Sequence, residues 1–248
     1  MEYNIVVALF IFLFGVSVGS FLNVLIYRIP NEMSIISPPS ACPNCKNRLK
    51  WYHNIPIISW IFLGGKCAFC EQKISIKYPL VELINGIIWV LLYFKIGLVW
   101  YFPFVALSFS MLLALSIIDL KYYAVPDSLN YAALIFALIN PNFLISLRDA
   151  AIGALGLFLV GYFTSKLAKK DALGEADIIV AATMAALLGF PAFFIAMFIS
   201  AIIAIVPSLL AKDTMIPFVP FLSIGTLITY LYKEELLNLL EVLLYGQS

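Results

Sequence analysis

The sequence predicts an all-α polytopic membrane protein of about eight transmembrane helices, with a small cytoplasmic zinc-ribbon-like domain in the first loop. Three observations lead there. Of the 248 residues 63% are hydrophobic and only 12% are charged, and the mean hydropathy is +1.02, far from a soluble domain. Apolar runs of span length, roughly twenty residues each, recur along the chain. One extended polar segment interrupts them, and it holds all four cysteines. The net charge of +1 says little about partners; the apolar composition makes the lipid bilayer the expected surroundings, and no nucleic-acid partner is expected.

The runs fall at 4–27, 80–99, 101–119, 129–147, 149–167, 177–190, 191–211 and 217–232. Pro103, Asn140-Pro141-Asn142, Gly189-Phe190-Pro191, and Pro217 with Pro220 mark their ends, because proline donates no backbone hydrogen bond and suits a helix boundary. The sixth and seventh runs almost touch, so a single bent hairpin is an alternative there. The chain is thus expected to divide into a first transmembrane helix (1–27), a four-cysteine domain (28–79), a membrane core (80–232) and a tail (233–248). Leu236, Leu237, Leu239, Leu240, Leu243 and Leu244 of the tail suit an amphipathic helix at the membrane interface or packing against a span.

Orientation follows from the basic residues, which concentrate on the cytoplasmic side of membrane proteins. With eight crossings, Arg28, Lys46, Arg48, Lys50, Lys66, Lys73, Lys77, Lys121, Lys166, Lys169, Lys170 and Lys212 share one side, and only Lys95, Arg148 and Lys233 face the other. The rich side is expected to be cytoplasmic and the amino terminus outside. Only Glu2 precedes the first run and Arg28 closes it, which is not the charge order of a cleaved signal peptide.

The polar segment 28–79 carries Cys42-Pro43-Asn44-Cys45 and Cys67-Ala68-Phe69-Cys70. Two CxxC pairs separated by 21 residues are close to the spacing of a zinc ribbon, in which two thiolate knuckles close one tetrahedral site. Disulfides and an iron site compete, since thiolates suit other soft metals, but a cytoplasmic loop keeps its thiols reduced. Four protein ligands close the site, so zinc bound by Cys42, Cys45, Cys67 and Cys70 is expected to be structural. His53 is a fifth candidate ligand or a packing residue.

In the first run Gly15, Gly19 and Asn23 recur every four residues and share a face, with Ser20 beside them and Arg28 at the inner end. Close helix packing through small residues accounts for the glycines. Asn23 needs a hydrogen-bond partner within an apolar span.

Two acids carry the chemistry. Asp119 ends the run LLALSIIDL, and a carboxylate in the last turn of a helix opposes the macrodipole, so local stability does not explain it. Asp177 follows Gly174-Glu175-Ala176 at the start of the sixth run, where a negative charge is locally favourable. Asp127 and Ser128 are candidate caps of the fourth helix. Asp119 and Asp177 together place two carboxyls at the cytoplasmic boundary. Such a pair resists double ionisation and can supply one acid and one base to activate water against an amide. Proton-coupled transport also uses intramembrane acids, and an assembly factor docking through its zinc ribbon is a further alternative.

The run Gly19-Ser20-Phe21-Leu22-Asn23-Val24-Leu25-Ile26-Tyr27-Arg28-Ile29-Pro30 closely resembles the opening signature of the type IV prepilin leader peptidases, which are aspartic membrane proteases with a Gly-x-Gly-Asp motif. His53-Asn54-Ile55-Pro56 with Ser59-Trp60, Gly65-Lys66-Cys67, and Ile76-Lys77-Tyr78-Pro79-Leu80-Val81-Glu82 carry the same resemblance. So do Ile118-Asp119 through Pro126-Asp127, and Ile216-Pro217-Phe218-Val219-Pro220-Phe221. It covers roughly residues 13 to 225. The resemblance implies an endopeptidase of the inner membrane that removes the short basic leader of prepilins and pseudopilins on the cytoplasmic side, with Asp119 and Asp177 catalytic. Here Ala176 and Val219 stand where the family has glycines, and an alanine tolerates positive φ less well than glycine does. The resemblance also implies methylation of the new amino terminus from S-adenosylmethionine, with Gly65 and Lys66 as the candidate residues. No GxGxxG fingerprint supports a nucleotide-type cradle.

Overall fold

The computed structural model describes residues 4–168, 174–210 and 216–246. Glu2, Lys169, Lys170 and Lys212, which entered the charge argument above, lie outside the described residues. Among those described, the structure is all-helical, with strand-like pairing confined to two isolated bridges, Ala41 with Arg48 and Lys66 with Lys73. Two compact units divide between Phe102 and Pro103.

The first unit is built on α1 (Ile5–Arg28) and α3 (Lys77–Ile96), with the short α2 (Ile58–Phe62) in the loop between them. Asn4 opens α1 by accepting the Val6 N–H at 2.8 Å. The small residues of α1 meet α3 backbone to backbone. A Cβ on Gly15 would come within 2.9 Å of Gly86 Cα, and one on Gly19 within 2.7 Å of Glu82 Cα. The small-residue stripe therefore serves packing within the chain. Polar side chains bridge the same seam: Asn85 donates to the Gly15 carbonyl at 2.7 Å and Asn23 to the Tyr78 carbonyl at 3.1 Å. Buried Arg28 donates to the carbonyls of Ser34 and Pro38, and this turns the chain out of α1 into the polar loop.

The second unit contains most of α4 (Phe102–Tyr122), then α5 (Asp127–Leu138), α6 (Phe143–Ala168), α7 (Glu175–Leu188), α8 (Ala192–Leu210), α9 (Val219–Leu231) and α10 (Lys233–Tyr245). Its centre is α7, whose Val180, Ala181, Met184 and Ala185 are fully buried and which packs against α5, α6, α8 and α9. The predicted run 129–147 is split. Asn140 donates to the Ala137 carbonyl and the Ser146 hydroxyl and accepts the Asn142 N–H, so α5 stops at Leu138 and residues 143–147 open α6. The sixth and seventh runs form two helices joined at Gly189. Its φ of +68° requires glycine, and a Cβ there would meet Asp149 Oδ2 at 3.4 Å.

Each of the eight apolar runs carries a helix, but length divides them. Among the described residues five helices, at α1, α3, α4, α6 and α8, are long and apolar enough to cross a membrane, while α5 and α9 are apolar but shorter. The 14 residues of α7 rise about 21 Å at 1.5 Å per residue, short of a hydrocarbon core of roughly 30 Å. The tail forms α10, with no buried side chain and with Leu239, Leu243 and Leu244 exposed.

Candidate active site and four-cysteine module

The four cysteines sit on two copies of one turn. In the first, Cys42 N–H donates to the Asn47 carbonyl, Lys46 N–H donates to the Cys42 carbonyl, and Lys46 has φ +60°. In the second, Cys67 N–H donates to the Gln72 carbonyl, Glu71 N–H donates to the Cys67 carbonyl, and Glu71 has φ +57°. The bridges Ala41 with Arg48 and Lys66 with Lys73 flank the two turns equivalently. All four sulfurs lie within 4.8 Å of one another. Cys42 and Cys70 are 3.8 Å apart and Cys45 and Cys67 are 4.0 Å apart. Tetrahedral zinc with bonds of about 2.3 Å puts neighbouring sulfurs about 3.8 Å apart, whereas a disulfide needs about 2.05 Å. The cluster is thus compatible with structural zinc.

Local donors prepare two of the thiols as ligands. The Cys45 N–H holds the Cys42 thiol below its ordinary value, and the Gln72 N–H, helped by the Asn44 amide, brings Cys70 down to about 6. At Cys45 the Asn47 N–H works against burial and three crowding sulfurs, which push that thiol up to about 11. A cation relieves this crowding of four potential thiolates. His53 is not part of the cluster: its Nδ1 accepts the Lys50 N–H and its ring packs edge-on against Tyr52 and Phe69. Gly65 also has a structural explanation. It is buried with φ +69°, and a Cβ there would lie 2.8 Å from the Trp60 ring. Lys66 is exposed. A glycine filled over by an indole offers no cradle, so these two residues do not fit a cofactor site.

In the second unit Asp119 and Asp177 line one cavity of about 250 Å³, together with Tyr123, Glu175, Pro217 and Phe218. The puzzle of Asp119 in the last turn of α4 is answered by another helix. Its Oδ2 accepts the Val219 N–H at 3.1 Å, and the Phe218 N–H also faces it. Both amides belong to the start of α9, where unpaired N–H groups attract negative charge. The proline motif 216–221 therefore starts the helix that holds Asp119, and Val219 fits because its position is helical.

Asp177 is the third residue of α7. Its carboxylate accepts the Gly174 N–H while its own N–H donates to the Gly174 carbonyl at 3.1 Å. This reciprocal arrangement is half of a capping box, so Asp177 has a local role besides facing the cavity. Ala176 is helical and Gly174 has φ −74°, so no position in this turn needs a glycine's positive φ. The alanine leaves the geometry intact. Asp127 is the first residue of α5, with Pro126 as N-cap and no side-chain capping bond. The expected cap is thus absent, and Asp127 acts only as a favourable charge in a first turn. Two contributors escaped the sequence reading: the backbone amides of Phe218 and Val219, which no side-chain pattern announces, and Asn130 of α5, a lone amide one turn into an apolar helix.

The fold and the cavity define a polytopic helical membrane protein with a paired-carboxylate site. Residues 13–96 match the bacterial peptidase A24 N-terminal domain and residues 106–209 match the type IV leader peptidase family, and the chain belongs to that family. It is similar to the prepilin leader peptidase/N-methyltransferase of Neisseria gonorrhoeae, at 31% identity over 89% of this chain and 89% of that protein. It resembles the protein of the same name from Pectobacterium carotovorum subsp. carotovorum at 34% identity, covering 85% and 88%. The match to that from Myxococcus xanthus (strain DK1622) is 37% over 73% of this chain, which spans 56% of the Myxococcus protein. No solved structure matches the chain. Neither the transporter nor the assembly-factor reading finds support among these relatives.

Proposed function

We propose that the chain is an inner-membrane aspartic endopeptidase that removes the basic leader from prepilins and pseudopilins. The observation that carries this reading is the placement of Asp119 and Asp177 on one cavity. With one carboxyl ionised and one protonated, the ionised group takes a proton from water as it attacks the scissile carbonyl, and the other donates to the leaving amine. The pair titrates as a unit, so neither is named acid or base alone.

In this reading the amino terminus lies outside and residues 28–79 form a cytoplasmic module closed by zinc on Cys42, Cys45, Cys67 and Cys70. Residues 80–232 form the protease core and 233–248 a tail. Substrate leaders reach the site from the cytoplasmic side. N-methyltransferase is the second activity in the relatives' names; in this reading S-adenosylmethionine supplies the methyl group, and no step of the transfer is assigned to Gly65 or Lys66.

The test is incubation of the purified, detergent-solubilised protein with a prepilin and S-adenosylmethionine, read by intact mass. Leader loss supports the peptidase, and an added methyl group supports the second activity. No cleavage of several prepilins by folded protein would overturn the reading. Asp127→Ala in the same assay is expected to keep cleavage within about threefold while thermal unfolding shows a loss of about 0.3–1 kcal/mol, the worth of a first-turn charge.

A further inference from the structure

We propose that Asn130 is a positioning residue for the peptidase reaction: its side-chain amide fixes the peptide bond leading into Asp177, and so fixes where that carboxylate sits relative to Asp119. The inference rests on the reading of Asp119 and Asp177 as the reacting pair. Asn130 lies on α5 and is 0% exposed. Its Nδ2 donates to the Ala176 carbonyl at 2.9 Å, and that carbonyl shares its peptide group with the Asp177 nitrogen.

The bond answers no local need. The first turn of a helix has N–H groups to spare, whereas its carbonyls are already engaged by the amides one turn on. Asn130 therefore donates to the second lone pair of an acceptor that α7 can satisfy by itself. Cohesion between α5 and α7 does not require it either. Further along the pair, Ala137 of α5 and Ala182 and Ala186 of α7 share an apolar cluster with Leu134 and Leu138 packed against it.

Stability also argues against a purely structural role. Asn130 Oδ1 is buried with no hydrogen-bond partner, and an unsatisfied buried acceptor carries a desolvation cost that an apolar side chain avoids. What the asparagine achieves is placement. It ties the start of α7 to the start of α5, and Asp177 stands one residue after the tie. Reacting groups misplaced by an ångström lose on the order of a hundredfold in rate, so a brace at this point acts on turnover and leaves substrate affinity alone.

The test compares full-length wild type, Asn130→Ala and Asn130→Leu in detergent, measuring kcat and KM for prepilin cleavage and the thermal midpoint by circular dichroism. The expected result is a kcat lowered by roughly tenfold to a hundredfold, a KM within about twofold, and a midpoint that does not fall in step with activity. Asn130→Ala removes the donor without adding volume, so it decides the matter if the larger leucine disturbs the fold. A kcat within about twofold of wild type in the folded variants would overturn the inference. A kcat that falls only in proportion to the folded fraction would also overturn it, by making Asn130 a packing residue. Failure of the wild type to cleave is a separate outcome, which removes the peptidase reading and this inference with it.

Discussion

Asp119→Asn and Asp177→Asn are each expected to abolish prepilin cleavage, lowering kcat by roughly a thousandfold or more, within the range lost with a general acid or base. The substitution is chosen to leave the scaffold standing. An asparagine at 119 still accepts the Val219 N–H that Asp119 takes at 3.1 Å, and one at 177 still accepts from Gly174. Membrane insertion and thermal midpoint should therefore stay near wild type while turnover disappears. Asp119→Ala behaves differently. It leaves a buried amide at the start of α9 without its acceptor, which costs about 1–3 kcal/mol, so it should lose stability as well as activity. The double Asn variant should be little worse than either single one, because the two groups act as a unit. Intact mass of the product over a long incubation, with circular dichroism on the same samples, checks all of this. Substantial cleavage by either Asn variant removes that aspartate from the mechanism.

How much of this was legible beforehand depended on the kind of signal. Composition and run length gave the helices their approximate places, because a bilayer admits few backbones other than helices. Run length failed where side chains, and not hydropathy, end a helix. Asn140 hydrogen-bonds to its neighbours on both sides, and that contact breaks an apolar stretch which hydropathy alone reads as continuous through 147. Hydropathy alone does not give the crossing count, for a related reason. Helix α7 is apolar because protein surrounds it, with Val180 and Ala185 fully buried, and an apolar sequence does not distinguish lipid from protein as its surroundings.

The site divided along the same line. Asp119 was visible because a carboxylate closing an apolar helix is locally unexplained. The amides that hold it were invisible, since a backbone N–H has no sequence signature and the start of α9 lies a hundred residues on. The doubt over Ala176 came from reading a glycine as a demand for positive φ, whereas this position, like that of Val219, is helical. Asn130 has the reverse problem. A single asparagine in an apolar helix has many bland explanations, and only its 2.9 Å bond to the Ala176 carbonyl, with Oδ1 left unpartnered, separates it from them.

Removal of metal from the four-cysteine module is expected to unfold that module while leaving the α1 and α3 pair assembled. The two knuckles contribute little apolar burial of their own: Cys42 and Cys67 are buried, but Trp51, Phe62 and Phe69 are exposed. Metal binding is then most of the folding free energy, as in zinc fingers, where it is worth about 10–16 kcal/mol. The helix pair has independent support in the backbone contacts at Gly15, Gly19 and Gly86. Trp60 reports the difference, since its ring covers Gly65 and its Nε1 donates to the Ile74 carbonyl at 3.2 Å. With the other three tryptophans replaced by phenylalanine, chelation or Cys67→Ser should shift Trp60 emission to the red and open residues 40–74 to proteolysis, with helical circular dichroism largely kept. Metal analysis of the wild type should give one zinc per chain and four titratable thiols after its removal. Iron with visible absorption would replace zinc by another thiolate metal. Absent metal together with missing thiols would show that the 3.8 and 4.0 Å sulfur pairs close as disulfides in the isolated protein, and would overturn the metal site.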